Sequence, residues 1–87
     1  MSPESSRFYG IVVYFNPNDH PPPHLHARHG EHRVSVDIRT LEVIKGDLPK
    51  SSLRILRDWM TDNYEVIQQA WDLARQGVFV SIPPHRR

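Results

Sequence analysis

Five of the six histidines in this 87-residue chain lie between His20 and His32, in the run Asn18-Asp-His-Pro-Pro-Pro-His-Leu-His-Ala-Arg-His-Gly-Glu-His32. Imidazole ligates metals as the neutral ring and moves protons near neutral pH, so this density of a scarce residue marks a site. Residues two apart in an extended chain project the same way, which puts His24 and His26 on one face. Pro21-Pro22-Pro23 stiffen the approach in a polyproline-like form, lowering the entropy lost when the rings are fixed. Imidazoles presented in this way suit Zn²⁺, Ni²⁺, Fe²⁺ or Cu²⁺. A third ligand is available from His20, His29, Asp19 or Glu31. Three ligands with an open position fit a catalytic zinc, and four a structural one.

The same rings serve a second chemistry. Without metal, paired histidines act as general acid and base, as phosphodiester cleavage requires, and Arg28, Arg33 or Lys45 is near enough in sequence to hold the phosphate. The bland alternative is a stiff loop whose histidines only pack and hydrogen-bond; the number of imidazoles weighs against it. His20, His24 and His26 are the candidate catalytic residues, with Asp19 orienting a ring through a carboxylate–imidazole bond. The metal reading takes the same three histidines and Asp19, with zinc or nickel as the ion. His29 and His32 read as loop and strand-entry residues.

These side chains need elements to position them. Arg7 to Phe15 is a continuous aromatic and β-branched run closed by Asn16-Pro-Asn-Asp19, which predicts a strand, with Gly10 as a bulge or with both faces covered. Between Arg33 and Arg39, apolar Val34, Val36 and Ile38 alternate with polar residues, the period of a half-buried strand. Thr40-Leu41 leads into a short element over Glu42 to Lys45, a hairpin. Ser51 or Ser52 is placed to cap a helix whose apolar stripe (Leu53, Leu56, Met60, Ile67, Ala70, Trp71, Ala74) runs to Gln76, with Asp62-Asn63 a point of kinking or re-capping. Trp59 and Trp71 accompany that stripe and read as core rather than as a ligand box. Gly77 is a natural stop, and Val78 to Ile82 reads as a last strand before Pro83-Pro84.

The expected architecture is thus α+β: a small, mostly antiparallel sheet in the order β–loop–β–β–α–β with one long helix across it. It forms one domain over 1–87, with a disordered tail at 1–6, a His/Pro loop at 16–32 and the helix at 51–76. Hydrophobic residues at 38% and charged residues at 24% place the chain on the globular side of the disorder boundary. With no cysteine there is neither a disulfide framework nor a thiolate metal site. No apolar run nears a membrane span, the first six residues do not read as a signal peptide, and a cytoplasmic protein is expected. The net charge of +1 creates no field that implies nucleic acid by itself, and no helix-turn-helix pattern is present. Exposed strand edges would permit a homodimer.

Two known metal and nucleotide patterns come close and fail. His24-x-His26 with Glu31 is similar to the first cupin metal motif, but Ile38 stands where its glycine belongs. His24-x-His26 is also similar to the histidine triad of nucleotide hydrolases, whose third histidine would fall at Arg28. A fuller resemblance spans nearly the whole chain: Phe8-Tyr-Gly-Ile11 with Tyr14, Asp19-His20-x-Pro-Pro-His24-x-His26-Ala27, Gly46-x-Leu48-Pro49, and Trp59 with Trp71. In these the chain resembles the small bacterial proteins grouped as domain of unknown function 4160 (DUF4160), with Leu25 where an aromatic is usual. The resemblance implies an α+β fold and the three motif histidines as site residues. It also implies a component of a two-gene, toxin–antitoxin-like or regulatory module with a small cognate protein. RNA cleavage by the paired histidines is the enzymatic form of that expectation; a divalent-metal module and a non-enzymatic interaction domain are its rivals.

Overall fold

The computed structural model describes residues 3–86. Five antiparallel strands form a meander in the order β1-β2-β3-β4-β5: β1 (Glu4–Phe8), β2 (Ile11–Tyr14), β3 (His24–His29), β4 (His32–Asp37) and β5 (Val43–Gly46). Two helices follow, α1 (Lys50–Asp62) and α2 (Tyr64–Arg75). The α+β class expected from the sequence is the one found.

Several elements differ from expectation for definable reasons. The Arg7–Phe15 run is a hairpin, not one strand. Tyr9 (φ 51°) and Gly10 (φ 78°) both take positive φ and form a two-residue turn whose twist matches the flanking strands. The tail expected at 1–6 is ordered from Glu4, because Ser5 and Ser6 are buried in β1; Met1 and Ser2 lie outside the described residues. The 16–32 loop is half strand, since His24–His29 alternates buried Leu25 and Ala27 with polar neighbours and pairs on both sides. Nor is the proline run a polyproline helix throughout, as the Pro21–Pro22 peptide is cis.

The single long helix is two. At Asn63 (φ −121°, ψ 26°) the backbone leaves the helical region, and the Asn63 side chain donates to the Trp59 carbonyl at 2.9 Å. Asn competes in this way with the backbone ladder, which is why the break falls at the weak point seen in the sequence. Pro49, not Ser51 or Ser52, precedes the first turn of α1. Gly77 does stop α2, with φ 82° and the Val78 N–H returning to the Leu73 carbonyl. The last strand does not form. Its segment is held by Ile82 N–H to the Ser5 carbonyl (2.8 Å) and by Trp59 Nε1–H to the Pro83 carbonyl (2.8 Å), and Pro83-Pro84 offer no donors to extend a ladder.

The pleat divides the sheet into two unlike faces. Ile11, Val13, Leu25, Ala27, Val34 and Val36 join Leu56, Trp59, Met60, Ile67 and Trp71 in one core. Trp59 is fully buried and stacks obliquely on Phe8, so both tryptophans are core residues. Burial of such aromatics contributes about 2–3 kcal/mol each and anchors the helices to the sheet. The alternate residues, among them Tyr14, His24, His26, Arg28, Arg33, Ser35 and Lys45, project to the opposite face.

A histidine–aspartate candidate metal centre

Strand alternation places His24 and His26 on the same side of β3, and their rings meet edge to face with centroids 5.1 Å apart. The connection from β2 then brings Asp19 over them. Its Oδ2 is 2.8 Å from His26 Nε2 and 3.4 Å from His24 Nε2. The three side chains are only 14–19% exposed, withdrawn from bulk water yet still reachable. One ligand atom from each lies within 4.8 Å of the others, the spacing of a three-residue metal set.

Outer contacts fix the rings. His24 Nδ1 is 2.8 Å from the Pro22 carbonyl, and its ring also packs on Trp71 of α2, centroids 5.2 Å apart. His26 stacks on Tyr14 at 5.2 Å, while its Nδ1 is 3.2 Å from the Ser35 hydroxyl. The Asn16 side-chain amide stands 3.2 Å from His26 Nε2. Histidines that ligate metals are held by the nitrogen that does not ligate, as the Nδ1 contacts of His24 and His26 would do here.

The His24 contacts set two acceptors against each other, an arrangement that a shared positive charge, metal ion or proton, relieves. A carbonyl only accepts, so His24 Nδ1 carries the proton and donates to Pro22. In the neutral ring Nε2 then bears a lone pair, 3.4 Å from a carboxylate oxygen that also only accepts. Two acceptors turned together in a partly buried site repel unless they share a positive charge. Ligands at 2.0–2.2 Å from one ion are about 3.0 Å apart at octahedral angles and about 3.4 Å at tetrahedral ones. The 3.4 Å from His24 to Asp19 has that tetrahedral spacing, whereas the 2.8 Å from His26 to Asp19 is hydrogen-bond distance.

Of the residues singled out in the sequence, His24, His26 and Asp19 come together, whereas His20 does not. His20 is exposed in the β2–β3 connection and stands outside the group; the carboxylate of its neighbour occupies the third position. His29 points to the other face, where Nδ1 and the Ser52 hydroxyl are 2.6 Å apart, and the ring lies against Gly10 so closely that a Cβ there would come within 3.0 Å of Nε2. His32 lies 3.8 Å from Asp47 in an exposed pair. Sequence reasoning did not single out Tyr14, Asn16, Ser35 or Trp71 for the site. Ser35 was legible only through register, because it faces His26 across β3 and β4.

A meander backed by two helices, with a two-histidine, one-aspartate cluster where the β2–β3 connection meets β3 beside Trp71, defines a small α+β protein with a candidate metal centre. The chain belongs to the family described as Domain of unknown function (DUF4160), whose sequence model matches residues 10–72 and so spans both the cluster and Trp71. No curated protein and no solved structure matches it. None of the described helices is long and apolar enough to cross a membrane.

Proposed function

We propose that the protein is a divalent-metal module in which His24 Nε2, His26 Nε2 and Asp19 Oδ2 ligate one ion and leave its remaining positions open. The observation that carries this reading is the convergence of His24, His26 and Asp19 on one point, with His24 Nδ1 held by the Pro22 carbonyl and Nε2 turned to the carboxylate. Three protein ligands with open positions are the arrangement by which a metal activates water or polarises an oxygen substrate. Imidazole and carboxylate together suit zinc or nickel, and two histidines with one carboxylate also suit non-haem iron.

Metal-free acid–base catalysis by the same pair is less well supported. A paired acid and base must face opposite sides of a substrate, but both Nε2 atoms turn toward one carboxylate. We place the centre in the two-gene, toxin–antitoxin-like or regulatory setting that the family resemblance implies, where co-purification with the adjacent gene product is the check.

Elemental analysis of protein purified without a histidine tag tests the metal reading. The expected result is one divalent ion per chain, lost in His24→Ala with the circular-dichroism spectrum unchanged. Folded wild-type protein that takes up neither zinc, nickel nor iron(II) on titration would contradict it.

A further inference from the structure

The same face of the sheet carries a second feature, one row along from the proposed ion. The pairing register aligns Arg7, Val12, Arg28 and Arg33 across β1 to β4, and Tyr14, His26, Ser35 and Lys45 across β2 to β5. Arg28 and Arg33 are direct cross-strand partners. Like charges directly opposite each other destabilise a sheet, and neither arginine forms an ion pair among the described residues. The nearby countercharge is Glu4 on β1, which attracts Arg28 across the cleft but is hydrogen-bonded to Arg7.

The two arginines line a cleft of about 660 Å³ together with Val12, Tyr14 and Asn16. A smaller hollow of about 280 Å³ shares Tyr14 and Arg33 with it and adds His26, Ser35 and Lys45. The cleft also contains Glu4, but that carboxylate is already engaged by Arg7 through contacts of 2.7 and 3.1 Å. Arg28 and His26 are two residues apart on β3, which sets the rows about 7 Å apart.

We infer that Arg28 and Arg33 form a phosphate subsite beside the His24/His26/Asp19 centre, so that the module acts on a phosphate ester. A carboxylate has two oxygens and is filled by one guanidinium fork, whereas a phosphoryl group has oxygens for two facing forks. Lys45, in the row of His26, adds a third positive charge on the far side of Arg33. The inference rests on the metal reading for the chemistry beside the subsite, but the arginine pair is testable by itself. The ester belongs either to a small phosphorylated molecule or to a single nucleic-acid strand, and both present the same group to the arginines.

Binding of adenosine monophosphate, followed by calorimetry, and of a fluorescein-labelled oligothymidylate, followed by anisotropy, separates these sources. Both are measured on the full chain, with and without zinc, at low and at moderate salt. We expect at least one probe to bind, more weakly as salt rises, and Arg28→Gln and Arg33→Gln each to weaken it by about tenfold or more. Zinc uptake should be unchanged in both variants, and the thermal midpoint of Arg33→Gln should be no lower than wild type, since a repulsion has been removed. Monophosphate binding alone assigns a small ligand, and a clear preference for the oligonucleotide assigns a strand. Binding of neither probe, or full binding by both variants, would overturn the inference. Zinc uptake without phosphate binding would leave the metal centre standing alone; arginine-dependent phosphate binding to protein that takes no zinc would uphold the subsite and remove the metal reading.

Discussion

Strand β3 carries two kinds of histidine, and they differ in what the fold asks of them. His29 faces the helices, bonds the buried Ser52 of α1 at 2.6 Å and fits against Gly10, so its ring ties sheet to helix. On the other face, His24 and His26 have their Nδ1 atoms engaged and both Nε2 atoms gathered on Asp19. The first arrangement closes a polar pair inside the structure; the second gathers two ring nitrogens on one carboxylate oxygen, with the Asn16 amide also 3.2 Å from His26 Nε2. A residue type in one six-residue strand thus ties sheet to helix on one side and joins a group that could hold a metal on the other, and the pleat sets which side each ring takes.

That contrast can be broken from either side. The largest effect is expected at the converged face: Asp19→Ala should lower zinc affinity by at least about a hundredfold, beyond the loss typical of outer contacts, with little change in the denaturant midpoint. His29→Ala should do the reverse. It strands the buried Ser52 hydroxyl and should cost about 1–3 kcal/mol in chemical denaturation while zinc uptake is retained. A smaller effect is expected at Ser35→Ala, where loss of the hydroxyl beside His26 Nδ1 should weaken zinc by about tenfold in competition titrations without unfolding the sheet.

The smallest concerns acid stability at Asp37, the cross-strand partner of His24, whose carboxylate is turned to the β4–β5 connection. Burial pushes the Asp37 carboxyl up, but the N–H groups of Thr40 and Arg39 outweigh it and hold the group below its ordinary range. A lowered folded value stabilises the protein above the unfolded carboxyl value and ceases to do so as pH falls through the folded one. Asp37→Asn should therefore flatten part of the fall in thermal midpoint on acidification, leaving the profile near neutrality otherwise unchanged.

The sequence reveals composition on a face more readily than it reveals convergence. Alternation in Arg33–Arg39 and the two-residue spacing of His24 and His26 were legible because side-chain direction in an extended chain has a period of two, although the strand through His29 was read as loop. The tryptophans were legible as core because an aliphatic stripe travels with them. The Tyr9-Gly10 turn was harder to read, since an aromatic residue at φ 51° gives no warning inside an apolar run. The choice between Asp19 and His20 was not legible at all. Adjacent residues in an irregular connection have no fixed direction, and only the path from Phe15 to Pro23 sets the carboxylate over the rings and leaves His20 in solvent. Likewise Ser52 reads as a helix cap by position, but the approach of β3 turns it into a partner for His29. The opposed arginines required the β3–β4 register, a tertiary fact.

The central claim is that His24 and Asp19 share a cation while His29 does not. Nitrogen–proton correlation NMR of the histidine rings during zinc titration tests it most directly. In the metal-free protein His24 should carry its proton on Nδ1. Zinc should then shift the Nε2 resonances of His24 and His26 together, saturating at one ion per chain, with His29 unmoved. Unchanged Nε2 resonances at both rings, or shifts spread equally over His29 and His85, would contradict it.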